Sequence, residues 1–134
     1  MNKIEHIGIA VRDIEQSNKI FSKIFGTKSY KSEIVDSEGV ITSFFRVGSH
    51  KIELVAPINK QGPIQKYLDN NREGMHHIAF DVEDIYKEMK RISGNGIRLL
   101  NDKPKIGADN KLICFLHPKD TNGVLIEICQ KISS

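Results

Sequence analysis

The tightest constraint on this chain is that it repeats itself. His6-Ile7-Gly8-Ile9-Ala10-Val11-Arg12-Asp13-Ile14 returns as His77-Ile78-Ala79-Phe80-Asp81-Val82-Glu83-Asp84-Ile85, an offset of 71 positions. A second echo, Ile52-Glu53-Leu54-Val55 against Ile126-Glu127-Ile128-Cys129, has an offset of 74. Two echoes in the same order at nearly the same offset mark two copies of one supersecondary unit. The copies span about residues 1–57 and 74–131 of a single domain covering 1–134, with a linker over about 58–73.

Each copy reads alike. Residues 4–11 alternate and are rich in β-branched side chains, which predicts a strand. Asp13 can cap the helix that follows, with Ile14, Ile20, Phe21, Ile24 and Phe25 on one stripe and Gly26 as its stop. Strand-like runs follow near 28–35, 40–47 and 50–56. In the second copy 76–82 is a strand and Asp84 the cap. Ile85, Met89 and Ile92 make the apolar stripe, Gly94 and Gly96 end the helix, and strands are expected near 97–100, 111–117 and 123–130. The unit is β-α-β-β-β, used twice, which makes the chain α+β. Gly62-Pro63 opens a short linker helix running to Asn70, and Asn101–Asn110 reads as a long loop.

Composition narrows the function classes. The 134 residues are 39% hydrophobic, enough for a core, and no run approaches the ~20 apolar residues of a spanning helix. The 20 basic and 17 acidic residues are interspersed and Trp is absent, so no nucleic-acid footprint is visible. Met1-Asn2-Lys3 leads directly into strand-like sequence without a basic-then-apolar signal, which points to the cytoplasm. Cys114 and Cys129, each inside an apolar stretch, are expected to be buried free thiols.

Strand parity then singles out polar residues. With Ile7, Ile9 and Val11 packed under a helix, the other face carries His6 beside Gly8 and Ala10. The repeat puts Ile78, Phe80 and Val82 under its helix and His77, Ala79 and Asp81 away from it. Glu53 and Glu127 likewise stand opposite Ile52/Leu54 and Ile126/Ile128. Each copy thus shows one His and one Glu on its non-helix face. Brought to one point by a pseudo-two-fold, two imidazoles and two carboxylates suit a divalent Zn, Co, Ni or Mn ion. An octahedral ion so held keeps two positions open, as a catalytic site requires.

Paired β-α-β-β-β units with one His and one Glu each resemble the vicinal oxygen chelate superfamily, which includes glyoxalase I, extradiol dioxygenases and methylmalonyl-CoA epimerases. Several stretches are similar to the epimerase branch. They are Glu5-His6-Ile7-Gly8-Ile9-Ala10-Val11, Lys51-Ile52-Glu53-Leu54-Val55-Ala56-Pro57, Gly62-Pro63-Ile64-Gln65-Lys66-Tyr67-Leu68, Glu73-Gly74-Met75-His76-His77-Ile78-Ala79-Phe80, Leu116-His117-Pro118-Lys119-Asp120-Thr121 and Gly123-Val124-Leu125-Ile126-Glu127. The resemblance implies a curved, incompletely closed mixed sheet and metal ligands His6, Glu53, His77 and Glu127. His76 is set aside because its parity turns it to the helix side.

The resemblance also implies epimerisation of an acyl-CoA thioester by proton abstraction and return through an enolate, and a homodimer. Glu127 is the first candidate base. An acid before Gly39-Val40 is the second, and Asp36 and Glu38 both lie there, with Ser37 between them. A glyoxalase I-like lyase is the alternative, although Ala56-Pro57-Ile58-Asn59 departs from the pattern after that enzyme's first glutamate. A metal-free binding protein would lack the His/Glu quartet.

Overall fold

The structure, a computed structural model, describes residues 1–133. The chain groups into two compact units, His6–His76 on the one hand and Met1–Glu5 with the chain from His77 onward on the other.

The His6–His76 unit contains β1 (Lys3–Ala10) from His6 on, α1 (Ile14–Phe25), β2 (Lys31–Val35), β3 (Val40–Val47), β4 (His50–Pro57) and α2 (Pro63–Asn70). Its strands lie in the order β2-β3-β4-β1. The first two pairings are antiparallel, and β4 runs parallel to β1. Asp13 caps α1 by accepting from the Gln16 N–H at 3.1 Å, and Gly26, at φ 71°, ends it in the left-handed region. Ile14, Phe21 and Phe25 pack on Ile9, Val11, Phe45, Leu54 and Ala56. The buried stripe is therefore narrower than the sequence pattern predicts: Ile20 and Ile24 are 49% and 64% exposed, while Ser17 is buried. Helical spacing explains this, because positions 14, 17, 21 and 25 stay on one face and 20 and 24 rotate away from it. Ile64 and Leu68 bury one side of α2, and the Arg12 guanidinium donates to the Leu68 carbonyl at 3.0 Å.

The other unit carries β5 (Gly74–Asp81) from His77 on, α3 (Ile85–Gly94), β6 (Lys105–Gly107), β7 (Lys111–Phe115) and β8 (Ile126–Lys131). Its order is β5-β8-β7-β6, with β5 parallel to β8 and the other pairs antiparallel. Asp84 caps α3 at the Lys87 N–H, and Ile85, Met89 and Ile92 pack on Cys114, Leu116 and Ile128. Both units are thus βαβββ, each with a helix over one face of its sheet.

Two expectations are corrected here. Residues 97–100 form no strand; a lone bridge joins Leu99 to Leu116. The Arg98 backbone N–H, its Nε and one Nη all donate to the Asp120 carboxylate at 2.9 Å, so the Arg98 amide is taken by a side chain rather than by a neighbouring strand. The supposed loop Asn101–Asn110 instead contains β6, paired with β7 from Lys105↔Ile113 to Gly107↔Lys111. Cys114 and Cys129 are free and buried. They face opposite sides of the sheet, since the register sets Cys114 against Ile128 and Ile113 against Cys129. Among the described residues no helix is long and apolar enough to cross a membrane.

Candidate metal centre

Each unit builds the same small constellation on its non-helix face. In the first, the parallel register sets Gly8 opposite Glu53, and the antiparallel register sets Phe44 opposite Glu53 from the other side. The carboxylate therefore stands between a residue without a side chain and a phenyl ring. His6 stands two residues before Gly8 on the same face, and its Nε2 lies 3.4 Å from Glu53 Oε1. In the second unit Ala79 and Phe115 flank Glu127 in the same way. His77 Nε2 lies 3.6 Å from Glu127 Oε1, and its ring meets Phe115 edge-on with centroids 5.9 Å apart. Parity and repeat alone pointed to the four polar residues. Phe44 and Phe115 were missed, because only cross-strand register shows them as walls of the carboxylates.

The four residues are deeply buried, between 4% and 6% exposed. A carboxylate so placed is costly unless a positive partner meets it. The separations of 3.4 and 3.6 Å exceed the usual ~2.7–3.2 Å of an N–H···O hydrogen bond. They come closer to the spacing of neighbouring donors around one ion, roughly 3.0–3.4 Å for ligand atoms ~2.1 Å from it at ~90–109°. Nitrogen and carboxylate oxygen donors with this spacing suit a borderline divalent ion. Each unit supplies two donors.

Beneath Glu127 the face turns apolar. Cys129, two residues along β8, packs with Ala79, Ile113 and Phe115. Burial, and then the charge of Glu127, push its thiol well above the ordinary range, so it is filler rather than a nucleophile. Burial raises the Cys114 thiol as well. His76 behaves as its parity requires: it stacks edge-on against Tyr67 of α2, with centroids 4.8 Å apart.

Asp36 and Glu38 sit elsewhere in the first unit. They belong to the single 3₁₀ turn Asp36–Glu38 between β2 and β3, closed by Gly39 at φ 66°. The turn is held against the start of the linker: Gly39 accepts from the Ile58 N–H at 3.0 Å, and a Cβ at Gly39 would come within 2.9 Å of the Asn59 amide. Asp36 is exposed and Glu38 half-buried. The ladder step nearest this turn, Val40↔Pro57, lies four residues from Phe44↔Glu53, about 13 Å along the strands.

With two βαβββ units and a buried His–Glu pair in each, the comparison with known proteins is direct. Residues 5–115 match the model of the Glyoxalase/Bleomycin resistance protein/Dioxygenase superfamily, and the chain belongs to that superfamily. The mitochondrial methylmalonyl-CoA epimerase of Dictyostelium discoideum is 35% identical over 98% of this chain and 80% of its own length. The ethylmalonyl-CoA/methylmalonyl-CoA epimerase of Cereibacter sphaeroides is 36% identical over 97% and 98%. A solved Streptomyces coelicolor methylmalonyl-CoA epimerase variant, in complex with 2-nitronate-propionyl-CoA, superposes with a TM-score of 0.95 at 31% identity, covering 99% of this chain and 96% of that one. Within the superfamily, the chain falls in the methylmalonyl-CoA epimerase family, and its fold is that of the vicinal oxygen chelate proteins.

Proposed function

We propose that this protein is an isomerase that epimerises methylmalonyl-CoA, with His6, Glu53, His77 and Glu127 gathered in one domain around one divalent ion, Co, Zn, Ni or Mn. The observation that carries the reading is the matched pair of buried Nε2–Oε1 separations, 3.4 and 3.6 Å, at equivalent positions of two duplicated units. The donor atoms of His6, His77 and Glu127 could hold an ion together, and Glu53, whose Oε1 lies 3.4 Å from His6 Nε2, is proposed as the fourth ligand. The near-complete likeness to epimerases, one of them solved with a propionyl-CoA analogue, supports the substrate class.

A divalent ion held by His6, Glu53, His77 and Glu127 would supply a Lewis acid, which would make the substrate's α-hydrogen more acidic. The chain's residues do the rest. The four ligands orient the 1,3-dicarbonyl group, and Phe44 and Phe115 keep water from the two carboxylates. Glu127 is assigned the α-proton on one face, at Oε2, since Oε1 is turned to His77. A second acid must deliver a proton to the opposite face, and Asp36 or Glu38 fills that role once substrate spans the space between the turn and Glu53. General acid–base transfer of this kind contributes roughly 10²–10⁴-fold in rate.

The test is exchange of the α-hydrogen of methylmalonyl-CoA into deuterated buffer. Glu127→Gln should reduce exchange at least a hundredfold, and one of Asp36→Asn and Glu38→Gln should slow epimerisation while leaving the other variant near normal. No exchange by the parent protein supplied with each of the four ions would defeat the epimerase reading.

A further inference from the structure

We propose that Asn59 is the positioning residue for the second acid of the reaction: it latches the turn that carries Asp36 and Glu38 to the segment leaving β4. The proposal rests on the epimerase reading and adds what fixes one of its proton-transfer groups in place.

The turn needs an outside hold. Asp36–Glu38 contains no buried residue and is closed by the bond from the Gly39 N–H to the Asp36 carbonyl at 3.1 Å. Short 3₁₀ pieces have poor hydrogen-bond geometry and little stability of their own. The β2–β3 ladder closes at Val35↔Val40, so strand pairing fixes the two ends of the turn and not the acids between them.

Segment 58–62 supplies the hold. The Ile58 N–H donates to the Gly39 carbonyl at 3.0 Å. Asn59 then folds its side chain back into an Asx turn, with Oδ1 accepting from the Gln61 and Gly62 N–H groups, both at 3.0 Å. Those two bonds fix the carboxamide, and its Nδ2 lies 2.9 Å from where a Gly39 Cβ would stand. Glycine at position 39 therefore does two things: it adopts φ 66°, and it leaves the space that the carboxamide fills. From the other side Gly62 faces the Glu38 carbonyl oxygen, which a Cβ there would approach to 3.1 Å.

Asn59 is exposed, so core packing does not account for this arrangement. Its consequence is geometric. Glu53 lies on β4, and the same strand runs through Pro57 directly into the latch. The second acid is thus referred to the strand that carries a proposed ligand. Proton transfer rewards such precision, since a displacement of ~1 Å at a reacting group costs on the order of 10²-fold in rate.

The experiment measures initial loss of the α-deuteron from each of the two α-deuterated epimers of methylmalonyl-CoA, for the parent protein, Asn59→Ala, Asn59→Asp and Gly62→Ala. Each epimer yields its deuteron to a different group, so displacing one group slows one epimer. Asn59→Ala should slow one epimer about tenfold or more at unchanged KM and spare the other. That epimer should be the one slowed by the disabling member of the pair Asp36→Asn and Glu38→Gln. Asn59→Asp keeps Oδ1 for both N–H groups and should restore most of the rate. Gly62→Ala crowds the Glu38 carbonyl and should slow the same epimer through different atoms. Added to the disabling acid substitution, Asn59→Ala should have no further effect, because it acts only through that acid. Equal slowing of both epimers, or effects that multiply in the combined variant, overturns the proposal, as does normal exchange of both epimers by Asn59→Ala or by both acid variants. Those outcomes leave the epimerase reading standing; absence of exchange by the parent protein with every ion supplied defeats that reading and the proposal with it.

Discussion

Lys111 offers the sharpest test of how the non-helix face of the second unit is held together. Its Nζ lies 3.8 Å from Glu5 Oε2, and the two side chains are only 8% and 4% exposed. At an effective dielectric of ~20 the attraction at that distance is about 4 kcal/mol. Removing one partner of a buried pair costs about 3–5 kcal/mol by a separate route, because the remaining charge loses that partner without regaining water. The two estimates agree, so Lys111→Met should cost about 4 kcal/mol. A chain of this length unfolds with an entropy of roughly 0.3 kcal/mol/K, which converts the loss to a fall of ~14 °C in Tm. Scanning calorimetry and urea titration of the parent, Lys111→Met and Glu5→Leu/Lys111→Met measure it. The double variant should recover most of the loss, because two apolar side chains in place of a buried ion pair are near neutral. A fall of less than about 3 °C in the single variant, or a double variant no more stable than the single, would show that the pair is not what holds these two strands in place.

Three further outcomes follow from the same geometry. A His–Glu pair in one unit offers only two donors, below the four a divalent ion takes, so His6→Ala and His77→Ala should each reduce bound metal from about one equivalent per chain to well under half, by elemental analysis after dialysis; retention of a full equivalent in either variant contradicts a shared ion. Arg98 hydrogen bonds hold the Asp120 carboxyl well below the usual carboxylate range, so the clamp stabilises the fold above the unfolded value of ~3.9 and is lost as pH falls below it toward the depressed folded value. Urea titrations between pH 7 and pH 2 should show a shallower acid decline for Asp120→Asn than for the parent, and identical profiles would remove Asp120 from the explanation. Because burial raises both thiols, Cys114 and Cys129 should resist a thiol-reactive dye at pH 8 in the native protein and label promptly in denaturant; rapid native labelling would mean that the faces they line open readily.

Much of the site was legible because it depends on two short-range regularities. Strand parity is local, and it put His6 and Glu53, and His77 and Glu127, on the non-helix faces where the structure has them buried. Duplication then turned four individually ordinary residues into a pattern. The capping aspartates were equally local, since Asp13 and Asp84 bond to backbone N–H groups three residues on. The α1 stripe failed at Ile20 and Ile24 for a related reason: several apolar residues in one helix permit more than one face, and packing partners choose between them.

What escaped the sequence is set by register between strands distant in the chain. Glu5 and Lys111 are 106 positions apart, and nothing local distinguishes either from a surface charge. Arg98 and Asp120 are 22 positions apart, and their pairing takes up the Arg98 amide where a strand at 97–100 was expected and a single bridge is found. The short β6 hides among Pro104, Gly107 and Asn110, residues that read as loop, because its order comes from pairing with β7 rather than from its own propensity. Phe44 and Phe115 make the same point inside the site: each is an unremarked apolar residue in its strand until the ladder sets it opposite a glutamate. The candidate ligands of the proposed centre thus follow from a local pattern copied twice, whereas the residues that wall them are set by cross-strand pairing. Divergence of substrate within this superfamily should therefore fall on positions such as Phe44 and Phe115 before it falls on the four proposed ligands.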